Sequence, residues 1–303
     1  MMTRREFLVC SAAGGVAALG GCASFGGGGE RVPYGETIGD RLWMWGHHRD
    51  SFKALKGTKE QYNLPYETRI DMADACRRMD VPGCFVVRWT NRPTKAELPT
   101  YMRQFAQTKR VGFSITDSAV ESFDEKARLG LDLADRLPNL TTLVMDDFFM
   151  SRENRRSLDD IRRVRTETER RGLKLGIVLY ADANGVKREY APVLDLFDEI
   201  TFWFWYGKNV GDIEGRVADL RRLVGAERPV LLGQYMWDFG GAKPMSGHDM
   251  ARQLAQTSRL LARGEIAGVI FHCTPLVDME LDAVRVAREW IRENKERKWG
   301  QMT

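Results

Sequence analysis

The amino-acid sequence predicts a single (β/α)8 barrel, and three observations carry that expectation. Eight short apolar runs recur along the chain, and a helical pattern follows each of them. The alternation fills residues 40–303 without a linker, close to the ~250 residues such a barrel usually takes. No glycine-rich turn follows the first run, where an open doubly wound sheet would hold a nucleotide. Residues 46–65 form instead a long polar loop, GHHRDSFKALKGTKEQYNLP, of the kind closed barrels use to build their sites.

In chain order the predicted strands are 41–46 (RLWMWG), 84–89 (CFVVRW), 111–117 (VGFSITD) and 141–147 (TTLVMDD). The second half supplies 173–180 (LKLGIVLY), 199–206 (EITFWFWY), 229–237 (PVLLGQYMW) and 268–273 (GVIFHC). Short apolar runs bounded by polar residues suit strands of a parallel sheet, which are buried on both faces. Helical patterns lie near 66–79, 95–108, 121–136, 156–171, 188–197, 212–225, 247–264 and 279–294. Ser157, with Asp160 three residues on, gives the fourth helix a capping-box-like start. Leu254, Ser258, Leu260 and Leu261 share a broad face of the seventh, as an outer helix requires.

The N-terminus predicts export. Arg4, Arg5, Phe7 and Leu8 precede a small-residue apolar stretch too short to span a bilayer stably. This pattern resembles a twin-arginine signal over residues 1–21. Leu19-Gly20-Gly21-Cys22 resembles a lipobox, with Cys22 as the lipidated residue and new N-terminus. Residues 22–39, including Gly26–Gly29, read as a flexible tether between lipid and barrel. One lipid-bearing cysteine implies anchorage to a membrane rather than a span across it.

Charge and cysteines exclude more than they identify. The net charge of +4 falls to +3 without Arg4, Arg5 and Glu6, and basic residues are interleaved with acids. That is too weak a footprint for a nucleic-acid partner. Cys76, Cys84 and Cys273 have no close ligand spacing and read as buried small hydrophobes. No cofactor or zinc motif is expected.

The chemistry is expected at the strand ends, where barrel ligands bind. Residues 140–150, LTTLVMDDFFM, deliver Asp146 and Asp147 to the end of the fourth strand. Ionisable groups there are costly unless hydrogen-bonded or used. Six of eight tryptophans, Trp43, Trp45, Trp89, Trp203, Trp205 and Trp237, fall in or beside strands. Flat rings with polar groups between them match the apolar face and hydroxyl rim of a sugar. Alternation turns about half of such rings outward, with Trp43 and Trp203 as candidates for packing under helices. The remaining candidates for substrate binding are His47, His48, Arg88, Asp117, Tyr180, Tyr206, Asn209, Gln234, Tyr235 and His272. Each has a structural alternative: Asp117 and Asp182 as helix caps, Arg88 as the counter-ion of a buried carboxylate, His272 as an interior histidine.

An Asp-Asp pair ending the fourth strand of a barrel resembles the β-N-acetylglucosaminidases of the O-GlcNAcase type. The resemblance covers this motif and the fold. It implies that Asp146 holds a substrate acetamido group, Asp147 is general acid/base, and the acetamido oxygen is the internal nucleophile. The leading expectation is therefore a membrane-tethered glycoside hydrolase acting on an oligo- or polysaccharide. In a mechanism with two separate carboxylates, Asp182 or Asp238 would supply the second. The alternatives are a metal-dependent barrel hydrolase or sugar isomerase using His47, His48, Asp146, Asp182 and His272, and a non-catalytic glycan-binding lipoprotein.

Overall fold

The computed structural model describes residues 34–300 except residue 60 and residues 118–119, 151–154 and 183–184. The expected export signal, Cys22 and most of the tether lie outside the described residues. Eight parallel strands close into a barrel. They are β1 (Leu42–His47), β2 (Gly83–Val87), β3 (Arg110–Ser114), β4 (Leu140–Met145), β5 (Lys174–Tyr180), β6 (Glu199–Trp203), β7 (Val230–Tyr235) and β8 (Gly268–His272). Every strand pairs with its sequence neighbours, and β8 pairs with β1 to complete the ring. The molecule is thus a (β/α)8 barrel.

The outer helices are α1 (Met72–Met79), α2 (Leu98–Tyr101), α3 (Phe123–Arg136), α4 (Leu158–Arg170), α5 (Ala191–Leu194), α6 (Ile213–Val224), α7 (Gly247–Ala262) and α8 (Asp282–Asn294). Three are shorter than the sequence pattern suggests. Asp278 explains α1: its carboxylate accepts from Thr68 Oγ1, Arg69 N and Ile70 N, which holds that segment out of the helix. In α2 and α5 a proline lies in the first turn, Pro99 and Pro192. Proline lacks the amide an interior position needs, so the α-helix starts there rather than upstream. Ser157 caps α4 as expected, accepting from Asp160 N, and Ser122 with Glu125 completes a full capping box on α3. No helix among the described residues is long and apolar enough to cross a membrane.

The barrel interior is aromatic, and glycines on neighbouring strands make room for it. Trp43 and Trp203 lie inside, correcting the expectation that they pack outward under helices. A Cβ at Gly83 would fall 2.6 Å from the Trp43 ring, and one at Gly233 only 1.9 Å from Trp203. Trp43 packs on Phe85 with ring centroids 4.6 Å apart, and Trp45 meets Trp203 edge-on at 5.2 Å. Cys76, Cys84 and Cys273 are free thiols, all buried.

Candidate active site

The strands end in a cavity of about 90 Å³. Period-two geometry supplies its walls, because residues i and i+2 of a strand share a face. Trp45 and His47 come from β1, Trp203 and Trp205 from β6 and the residues after it, and Tyr180, Tyr235 and His272 from the ends of β5, β7 and β8. Loops add Tyr62, Trp89 and Phe239, and the turn after β4 adds Asp146 and Asp147. The rings contact one another around the cavity: Tyr235–His272 at 4.6 Å, His47–Trp89 at 4.7 Å, Phe239–His272 at 4.9 Å and Tyr62–Trp205 at 5.8 Å.

The two aspartates occupy different settings. Strand β4 stops at Met145, and Asp147 takes a left-handed conformation with φ of 50°. Leaving the strand frees both side chains to reach one cavity; within it they would face opposite ways. Both are half-buried. Loss of solvent, then the charge of Asp147, then that of Asp117, hold the Asp146 carboxyl well above its ordinary range. Asp147 is also raised by loss of solvent, but the Tyr180 hydroxyl donates to its Oδ1 at 2.8 Å and opposes the shift. The pair therefore resists double ionisation, and the Tyr180 hydrogen bond favours the charged form of Asp147 over that of Asp146.

The two cavity histidines favour the neutral form. Burial pushes His47 down to about 3, and burial together with His47 holds His272 well below the usual range. The Nδ1 atoms of both lack a hydrogen-bond partner among the described residues. His47, His272 and Cys273 offer donor atoms that all lie within 4.8 Å of one another, a set of two imidazoles and a thiol. Such a set suits a soft or borderline cation such as zinc.

The structure brings Trp45, His47, Trp89, Asp146, Asp147, Tyr180, Trp205, Tyr235 and His272 to the cavity and places the other candidates elsewhere. His48 turns away: its Nδ1 accepts from Asp50 N at 3.1 Å and its ring packs on Tyr101. Arg88 is fully buried and forms a two-pronged pair with Glu121 at 2.9 and 3.0 Å, the counter-ion role rather than a sugar contact. Asp117 accepts from Arg88 N at 3.0 Å and faces Lys126 at 3.8 Å, so it secures the loop after β3. Asp182 accepts from Trp205 N, Tyr206 N and Asn209 Nδ2, each at 2.9 Å, which occupies Asp182 and Asn209 with loop geometry. The ring of Tyr206 lies under Gly240 instead of in the cavity.

Asp238 accepts from Gly207 N and Gly241 N at 2.9 and 2.8 Å and joins two loops. Trp237 extends past β7 into a small antiparallel pairing, Trp237–Asp238 with Lys243–Pro244, and its Nε1 donates to Tyr62 O. Gln234 is paired in register with Phe271, which packs on Trp290 of α8, so it faces outward from the barrel. A strand-end position thus does not ensure that a side chain points inward. Sequence reasoning missed Tyr62, Trp203 and Phe239 as lining residues. Only Trp203 had a legible signal, since it shares the i, i+2 face of Trp205.

No family model matches the chain, and no curated protein matches it. Solved structures similar to it include a chitinase from Chromobacterium violaceum, 11% identical with a TM-score of 0.49, covering 82% of this chain and 98% of that one. A mutant tryptophan synthase alpha-subunit of Pyrococcus furiosus is 9% identical with a TM-score of 0.48, covering 85% and 98%. The type I 3-dehydroquinate dehydratase of Clostridium difficile is 14% identical with a TM-score of 0.47, covering 86% and 94%.

Proposed function

We propose that the cavity is the active centre of a glycoside hydrolase, exported and held to a membrane by a lipid on Cys22, acting on an oligo- or polysaccharide. One observation carries the reading: two adjacent carboxylates, of which only one readily ionises, share a cavity walled by aromatic rings. Glycoside cleavage needs a carboxylic acid to protonate the leaving oxygen and a second group to stabilise the cationic sugar. Asp146 would hold the proton, and Asp147, steadied by Tyr180, would carry the negative charge. This order is the reverse of that implied by the O-GlcNAcase-type resemblance. Asp182 and Asp238 drop out as second carboxylates because both are bound into loop backbone.

The test is a screen of the chain from Arg31 onward against aryl glycosides, N-acetylhexosaminides included. Turnover lost in Asp146→Asn supports the reading, and absence of turnover on every glycoside with retained oligosaccharide binding would make the protein a binder. A second reading, metal-dependent barrel chemistry, is favoured by the His47–His272–Cys273 cluster. Chelator-sensitive activity would decide for it. Export and tethering are tested by Arg4-Arg5→Lys-Lys, which should block translocation, and Cys22→Ala, which should release soluble protein.

A further inference from the structure

We infer that the cavity selects a positively charged ammonium group, so that the sugar it takes carries a free, protonated amine. The sugar rests on the hydrolase reading; the cation does not. Charge is the first argument. Asp146 and Asp147 are the only carboxylates of the described lining, sharing at least one negative charge, and no lysine or arginine side chain lines the cavity with them. Two buried basic side chains near the strand ends are already engaged, Arg88 with Glu121 and Lys126 with Asp117. A carboxylate or sulfate on the ligand would meet an aspartate with no cation to offset it.

Shape and surface are the second argument. The walls are ring faces, which carry negative quadrupole potential and attract an ammonium most strongly where water is displaced. The described lining also holds no amide, serine, threonine, arginine or lysine side chain. An ammonium there finds both a carboxylate and π faces.

The experiment measures tryptophan fluorescence and calorimetric binding on the full chain. Glucosamine is compared with N-acetylglucosamine and glucuronate, and choline with its neutral isostere 3,3-dimethylbutan-1-ol. Each cation should bind at least tenfold tighter than its neutral counterpart, and glucuronate should not compete. Trp205→Leu and Asp147→Asn, checked for native circular dichroism, should each shrink that ratio; Tyr206→Phe, outside the cavity, should leave it intact. Equal or tighter binding of the neutral partners, competition by glucuronate, or no binding of either cation overturns the inference. Cation binding without turnover of any glycoside would keep it and sink the hydrolase reading. Turnover of N-acetylglucosaminides with no cation preference would do the reverse.

Discussion

The hydroxyl of Tyr180 donates to Asp147 Oδ1 at 2.8 Å, while Asp146, one residue away, accepts the backbone N–H of Asp147 against two neighbouring negative charges. A donated hydrogen bond to a carboxylate favours its charged form. The strand-five tyrosine thus sets which member of the pair ionises first. Tyr180→Phe should raise the Asp147 carboxyl further and move the acidic limb of the kcat/KM profile to higher pH. An unmoved acidic limb would mean that Asp147 is not the group that must be ionised.

Leaving-group dependence separates the roles of the pair. With Asp146 as proton donor, Asp146→Asn should lose ~10²–10⁴-fold in turnover on substrates with poor leaving groups. Activated aryl glycosides need little protonation and should suffer much less. Asp147→Asn should impair both substrate types alike. The opposite pattern would restore the assignment implied by the O-GlcNAcase-type motif, with Asp147 as the acid.

The fold was legible because the strand pattern is dense and uninterrupted: each apolar run that β1 to β8 occupy stands out from its polar flanks. The site was legible where a side chain's direction follows from the strand, as for Trp45 and His47 on β1. It was not legible where chain direction changes. Arg88, Asp182, Asp238 and Trp237 all sit just past a strand end, where the backbone turns and amide groups need acceptors. Acidic side chains there serve the backbone as readily as a substrate. Tyr62 lay beyond reach because its position depends on a long-range bond, from Trp237 Nε1 to its carbonyl.

The aspartate pair and the histidines should act oppositely on stability. For Asp146, a folded-state pKa above its unfolded value of 3.8 gives stability that is full below 3.8 and lost as pH rises through the folded value. For His47, a folded value of about 3 against 6.5 unfolded gives stability that is full above 6.5 and lost as pH falls toward 3. Asp146→Asn should therefore resist urea better than the parent protein at about pH 8, with the gain fading near about pH 4. A loss of stability at the higher pH would show that Asp146 is charged and satisfied in the fold.

The two loop aspartates make the last and sharpest comparison. Asp238 uses one oxygen, Oδ1, to accept from both Gly207 N and Gly241 N. Asparagine retains such an oxygen, so Asp238→Asn should cost under ~1 kcal/mol. Asp182 uses both: Oδ1 accepts from Trp205 N, and Oδ2 from Tyr206 N and Asn209 Nδ2. An asparagine there would turn an N–H toward an N–H on one side or the other, so Asp182→Asn should cost about 1–2 kcal/mol, at the low end of a lost charged hydrogen bond because the residue is half-buried. Because Trp205 follows directly on this clamp, KM should rise more than kcat falls. Urea denaturation and steady-state kinetics on both variants check this. If instead both variants kept parental stability and lost turnover, these carboxylates would belong to the chemistry and the clamp reading would fail.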